Sequence, residues 1–326
     1  QQLAAICQSV GFEHVRMGHQ VAPSPGFLAR METTLADAAL CPLLPTAPGR
    51  YMRSDGGTAD QPDWRGCDAV LSGPAGGVIA TAQLAASAGV GPAFGVDMGG
   101  TSTDVCRVDG PPERTDHLRI GGMNLRVPAV RLETVAAGGG SILRVGGGVM
   151  GVGPHSAGAD PGPAAYGRGG PATVTDAAAV LGWLPVFPSI CGSSRDQPLD
   201  LQAARDAITA LMPDLALEQA AHGFLRVAAE AAARAVRSLA AARGVDPADH
   251  ALIAFGGAGP AHGCAVARAL GIQRVVVPHL AGLFSAVGVG IAPRRAERVV
   301  PVRGSIAEAR NAAVSALPFS GQLECR

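Results

Sequence analysis

The sequence predicts an α/β fold in which helices flank a mixed sheet and the strand ends run into glycine-rich turns. Three observations carry this. Ala251 to Ile272, ALIAFGGAGPAHGCAVARALGI, reads as an apolar strand, a glycine turn and a helix. Residues 105–153 alternate apolar and polar positions between glycine clusters, in VCRV, NLRVPAV and SILRV, as hairpins do. Between Gly95 and Val105 the run GVDMGGTSTDV sets two carboxylates, a Gly-Gly pair and three hydroxyl residues directly after a short apolar segment.

Along the chain, residues 1–50 carry short helical patterns interrupted by Pro23, Pro25, Pro42, Pro45 and Pro48, so they are expected to connect to an upstream domain. The main domain is expected over 51–303 as one or two subdomains, with 304–326 as a tail. It begins with YMRSDGG and AVLSGPAGGVIATAQLAASAG, read as a strand that ends in a glycine turn before an alanine-rich helix. Next comes the strand ending at Phe94, Gly95 and Val96. Gly99 and Gly100 allow backbone conformations that a side chain would block, and Thr101, Ser102 and Thr103 supply amide and hydroxyl donors. That is a phosphate-binding hairpin, with Asp97 and Asp104 facing the metal of a nucleotide. A plain hairpin with a Gly-Gly turn competes with it, because glycine is 45 of 326 residues, about double ordinary usage.

Further on, Gly151 to Gly170 holds too much Gly and Pro for helix or central strand and is expected to be an ordered functional loop, with a flexible surface loop as the alternative. Two helices follow, one capped by Asp200 and one over Leu217–Arg243 that Gly244 ends. Leu217, Ala221, Phe224, Val227, Ala231, Ala235 and Leu239 recur at helical spacing, so this face is core. After the strand at 251, Gly256, Gly257 and Gly259 let a ligand approach the backbone, and Pro260 suits a first helical turn. The spacing lacks GxGxxG, which argues against a Rossmann turn and leaves tight strand–helix packing as the alternative.

Composition excludes several functions. Twenty-six basic and 26 acidic residues cancel, so no overall field draws the chain to nucleic acid or anionic membrane. Lysine is absent and every basic residue is arginine, which removes a Walker lysine and Schiff-base chemistry. The seven cysteines are scattered without a Cys-x-x-Cys pair, as in reduced, mostly buried thiols, and a cytoplasmic location is expected. No apolar stretch reaches the ~20 residues of a membrane span.

Together these runs resemble the hydantoinase A and 5-oxoprolinase family, whose ATP-binding half has the actin and sugar-kinase type of fold. YMRSDGG at 51–57, LSGPAGGV at 71–78, GVDMGGTSTDV at 95–105, TVAAGGGS at 134–141, SAGADPGPAAYGRGG at 156–170, TVTDA at 173–177 and FGGAGPAHGCAVARALG at 255–271 occur in the family's order. FPSICG at 187–192 and QPLD at 197–200 look more like 5-oxoprolinase. The resemblance implies an actin-like ATPase domain of ribonuclease-H-like build that uses ATP and Mg2+. Asp97 and Asp104 are the implied catalytic and metal-facing residues. Gly99, Gly100, Thr101, Ser102, Thr103, Gly138 and Gly139 are implied on the phosphate side, and Gly256, Gly257 and Gly259 on the adenosine side.

The implied reaction is ATP-dependent opening of a cyclic amide, 5-oxoproline to glutamate or a hydantoin, by phosphoryl transfer to the ring carbonyl oxygen. Family members carry another phosphate hairpin near their N-terminus, and one such hairpin is found here. With Gln as its first residue, the chain is expected to be part of something longer, completed by an N-terminal domain and a hydantoinase B-type subunit or domain. A truncated, non-catalytic partner-binding chain and a small-molecule kinase of the same fold are the alternatives. His155, Asp160, Asp176 and His262 stay open between ligand contact and local structure.

Overall fold

The structure, a computed structural model, describes residues 2–23, 25–184, 198–297, 299–300, 302 and 304–317. FPSICG and Gln197 of QPLD lie outside the described residues. The chain divides into two units, 1–76 with 114–130 and 289–326, and 77–113 with 131–288.

In chain order the first unit opens with α1 (Gln2–Ser9), α2 (Gly18–Val21), α3 (Phe27–Leu40), β1 (Arg50–Met52) and β2 (Thr58–Asp60). α4 (Ser72–Ser87) leads into the second unit, whose hairpin is β3 (Ala93–Met98) and β4 (Thr103–Val108). β5 (Arg114–Thr115), β6 (Leu118–Ile120), β7 (Met123–Leu125) and β8 (Ala129–Val130) return to the first unit. The second then continues with β9 (Glu133–Val135), β10 (Ser141–Gly146), β11 (Val149–Ser156), α5 (Val174–Val180), α6 (Leu201–Leu211), α7 (Leu217–Ala241), β12 (Ala251–Phe255), α8 (Gly259–Leu270) and β13 (Arg274–Val276). α9 (Phe284–Ile291) and α10 (Ile306–Ser315) complete the described helices.

In the first unit Val21, Ala36, Cys67, Leu125 and Val127 form an apolar cluster. Residues expected only to connect therefore contribute α2 and α3 to a packed unit. α3 buries Asp37, whose carboxylate accepts from the Cys67 amide at 3.0 Å and from Arg16 Nε at 2.5 Å, so its charge is paired where water is excluded. The strand expected at AVLSG does not form. Arg65 donates to the Asp68 carboxylate from its amide and its guanidinium, and the Asp68 amide donates to the Arg65 carbonyl, which fixes a 3-10 turn over Gly66–Ala69 just before α4. Pro74 lies in the first turn of that helix, where no intrahelical N–H is lost.

The second unit is built on a five-stranded sheet of order β13-β12-β3-β4-β9. β12 runs parallel to β3 and β13, while β4 is antiparallel to β3 and β9, so the sheet is mixed. β12 is buried at every position, as a central parallel strand covered on both faces must be. α7 and α8 cover one face through Phe94, Val96, Val105, Leu252, Val266 and Leu270. α4 contributes Ala80 and Ala85 to a cluster with Ile253, Phe255 and Phe284.

Two local expectations need correction here. Gly151–Ser156 is not loop but part of β11, paired with β10 across a turn at Gly147 and Gly148, so the irregular segment starts at Ala157. In α7, Val227 and Ala231 are only half-buried. The helix instead packs its first half into one cluster, through Ala221, Phe224 and Leu225, and its second half into another, through Ala232, Val236 and Leu239. Two differently placed neighbours widen the stripe beyond what one periodic face predicts. Asp200 caps α6 as expected, accepting from the Ala203 amide at 2.9 Å.

Candidate functional site

β3 and β4 pair residue by residue, with Asp97 opposite Asp104 and Met98 opposite Thr103. Directly opposed residues on an antiparallel pair share a face, so the two carboxylates lie side by side next to the turn of the hairpin. Each is held by one hydroxyl. Ser285 Oγ donates to Asp97 Oδ2 at 2.8 Å, and Thr134 Oγ1 donates to Asp104 Oδ1 at 2.5 Å. Burial pushes both carboxyls above the ordinary carboxylate range; the two hydroxyls oppose that shift, and neighbouring Asp104 adds to it at Asp97. Charge repulsion and burial together make this a place where a cation is favoured.

The hairpin tip is open. Gly100 and Thr101 are exposed, and Gly99 and Ser102 are half-buried, with the Gly99 amide donating to the Ser102 carbonyl at 3.0 Å. Thr103 differs from the donor expected of it: it is fully buried and its hydroxyl is committed to the Ala137 carbonyl. Gly99 and Gly100 also differ from expectation. Neither has a positive φ, and a Cβ would meet nothing nearer than 3.7 Å at Gly99 and nothing within 4 Å at Gly100. Their missing side chains leave space at the tip and do not serve a backbone conformation closed to other residues.

The steric demand falls one layer below. A Cβ on Gly138 would lie 2.8 Å from the Gly100 carbonyl group and from Gly99 O. The Gly139 and Gly140 amides donate to the Gly99 and Gly100 carbonyls at 2.9 and 2.6 Å, and the Gly138 amide donates to Ser141 Oγ at 2.8 Å. Gly138 and Gly139 are thus buried supports of the hairpin with committed amides. Thr175 Oγ1 in turn holds the Gly139 carbonyl at 2.9 Å.

The third glycine segment reaches the same place from β12. Gly256 has φ +84°, and a Cβ there would overlap Asp97 Oδ1 and the Met98 carbonyl. The Ala258 amide donates to Met98 O at 2.8 Å. Gly257 is exposed, Gly259 buried, and α8 begins immediately beyond. Three runs, at 95–105, 134–141 and 255–259, therefore meet around one carboxylate pair.

The four open residues resolve differently. Asp176 is structural: it is fully buried and accepts from the amides of Ala164, Ala165 and Thr173 and from the Thr173 hydroxyl, tying the glycine loop to the start of α5. Asp160 and His155 are exposed, Asp160 near Arg168 at 3.7 Å. His262 is buried edge-on to Trp183, with Nδ1 unpartnered among the described residues, and burial pulls its pKa down to about 4. Ser285 carried no sequence signal. Thr134 lay within TVAAGGGS but was unremarkable until β9 brought it beside Asp104.

Among the described residues no group of three or more His, Cys, Asp or Glu could hold an ion by itself. The donor set is instead a carboxylate pair beside an open, donor-rich tip, which suits Mg2+ shared with phosphate oxygens. No described helix is long and apolar enough to cross a membrane.

Sheet, hairpin and glycine turns define an α/β domain with the actin-like ATPase fold. The chain belongs to the hydantoinase/oxoprolinase family, whose profile it matches over residues 30–298. It is 41% identical to 5-oxoprolinase 1 of Arabidopsis thaliana over 319 residues, covering 88% of this chain and 25% of that protein. Among solved structures, the ATP-dependent caprolactamase of Pseudomonas jessenii aligns with 97% of this chain and 50% of its own, at TM-score 0.76 and 30% identity. Nucleotide-free acetone carboxylase aligns with 91% and 48%, at TM-score 0.72 and 25% identity. The chain spans about a quarter of the length of the 5-oxoprolinases it matches.

Proposed function

We propose that this chain supplies one side of the ATP site of an enzyme that hydrolyses a cyclic amide, 5-oxoproline being the substrate that the family resemblance favours. The observation that carries the reading is the convergence on Asp97 and Asp104 of the open Gly99–Ser102 tip and the Gly256 turn. Asp97 and Asp104 would hold Mg2+, the amides of Gly100, Thr101 and Ser102 with the two hydroxyls would cradle phosphate beside Gly99, and the exposed Gly257, in the turn shaped by Gly256 and Gly259, gives the nucleoside side close access. Thr103 ties the hairpin to the Ala137 carbonyl, and Gly138 and Gly139 brace it from beneath. The bound nucleotide would supply the phosphoryl group which, placed on the ring carbonyl oxygen, opens the carbonyl carbon to attack by water. This chain's part is positioning and charge neutralisation, which is most of what phosphoryl transfer asks of a protein.

Residues 51–303 carry the nucleotide-binding domain in this reading, and α2 and α3 pack against its Cys67, Leu125 and Val127. The remaining catalytic parts come from further polypeptide, including a hydantoinase B-type subunit or domain. A half-site that binds without turnover is the second reading, favoured by the chain spanning only a quarter of its 5-oxoprolinase relatives. Calorimetric titration of MgATP into the chain and into an Asp97→Ala variant tests both, with phosphate release followed in the same samples. Binding that weakens at least about tenfold in the variant is expected, one charged ligand being removed. Equal affinity in the two proteins would reject the site. Phosphate release from the isolated chain would reject the half-site reading.

A further inference from the structure

Asp97 and Asp104 share a feature that family membership does not explain. Each carboxylate uses one oxygen to accept from a hydroxyl on a distant segment, and its second oxygen accepts no hydrogen bond from the described residues. Ser285 reaches Asp97 across 188 residues of sequence, and Thr134 reaches Asp104 across 30.

Ser285 sits on an anchored segment, with its hydroxyl against α4. Ala281 O accepts from the Gly256 amide at 3.0 Å, which ties the turn before α9 to the glycine turn beside Asp97. Phe284, buried, packs edge-on against Phe255 with ring centroids 4.8 Å apart. Gly77 of α4 lies so close that a Cβ there would stand 3.0 Å from Ser285 Oγ and 2.8 Å from the Phe255 ring. Ser285 is thus carried on a held segment, and the missing side chain at Gly77 leaves room for its hydroxyl beside Asp97. Gly256 leaves the other side uncovered, because a Cβ there would overlap Asp97 Oδ1.

We propose that Ser285, with Thr134 as its counterpart, is a positioning residue for the divalent ion of the nucleotide. It locks Asp97 Oδ2 so that Oδ1 stays presented at the mouth between hairpin and glycine turn, while Thr134 does the same for Asp104. This rests on the nucleotide-site reading above. The chemistry is that of outer-shell ligands generally: a carboxylate already oriented by a hydrogen bond loses less freedom when it binds an ion.

The test is Mn2+ binding in the presence of ADP, read by the electron paramagnetic resonance signal of free Mn2+, for the wild-type chain and for Ser285→Ala, Ser285→Thr, Thr134→Val and Asp97→Ala. Thermal unfolding and metal-free ADP binding are measured on the same samples. Ser285→Ala is expected to weaken Mn2+ binding about tenfold, the worth of one hydrogen bond to a charged group, with metal-free ADP affinity unchanged. Ser285→Thr restores the wild-type value, and Thr134→Val weakens binding like Ser285→Ala. Equal Mn2+ affinity in wild type and Ser285→Ala overturns the proposal. A Ser285→Thr variant as weak as Ser285→Ala at unchanged unfolding temperature also overturns it. A wild-type chain that binds no Mn2+–ADP, or an Asp97→Ala variant that binds it as well as wild type, rejects the nucleotide site itself and this inference with it.

Discussion

At the residue scale, the glycines of the site divide by what a methyl group would meet. At Gly256 both the positive φ and the overlap with Asp97 and Met98 act against any side chain. Gly256→Ala is therefore expected to cost at least about 2 kcal/mol of stability, combining the left-handed backbone penalty with a clash on backbone atoms. Gly100→Ala meets nothing within 4 Å and should stay within about 0.5 kcal/mol of wild type, while nucleotide affinity falls because the methyl occupies the tip. Denaturant unfolding and nucleotide titration on both variants check the pair; comparable destabilisation by the two would contradict this division. In sequence these glycines look alike. Their difference comes from Asp97, which stands against one and not the other.

At the element scale, α7 shows how far periodicity carries. Its boundaries and core character were legible from Leu217, Phe224, Leu239 and Gly244, since an amphipathic repeat and a C-terminal glycine are local properties. The exact stripe was not, because it depends on two clusters that the helix meets in succession. The alanines set the distance between α7 and the strands below. Ala232→Leu inserts three carbons where Ala232 is 1% exposed, and overpacking of this kind is expected to cost about 1–3 kcal/mol. The exposed neighbour Arg234→Ala should change stability by less than about 0.5 kcal/mol. Thermal unfolding of the two variants distinguishes a tight interface, where only Ala232→Leu matters, from a loose one, where both are neutral.

For the molecule as a whole, pH dependence gathers buried groups of opposite sign. His262 stays neutral in the fold, with its pKa lowered from 6.5 to about 4 by burial. Below about pH 6.5 the unfolded chain takes up a proton that the folded imidazole refuses, so this group's stability contribution is full above 6.5 and is lost as pH falls towards 4. The gap corresponds to about 3 kcal/mol at most. Asp97, Asp104 and Asp176 have raised values and act the other way: the fold holds their protons more tightly, so stability rises as pH drops through their range. Comparing wild type with His262→Leu isolates the imidazole. The acid-side loss between pH 6.5 and 4 should shrink in the variant, and an unchanged difference between the two curves at all pH values would contradict the burial argument.

Sequence alone determined the class of fold, the hairpin at 95–105, the glycine turn before α8, the capped helices and the family. Each is written in contiguous residues whose spacing or turn chemistry acts locally. It misread AVLSG as a strand and Gly151–Ser156 as loop, because helix start and strand pairing there are set by Arg65–Asp68 capping and by β10. Tertiary structure alone decided which site residues face outward. Thr103 turns its hydroxyl inward to the Ala137 carbonyl, Gly138 and Gly139 lie beneath the hairpin, Asp176 is consumed by a cap, and Ser285 and Thr134 grip the two carboxylates. Those assignments depend on contacts between segments distant along the chain, where direction and distance are fixed by packing and no local pattern records them.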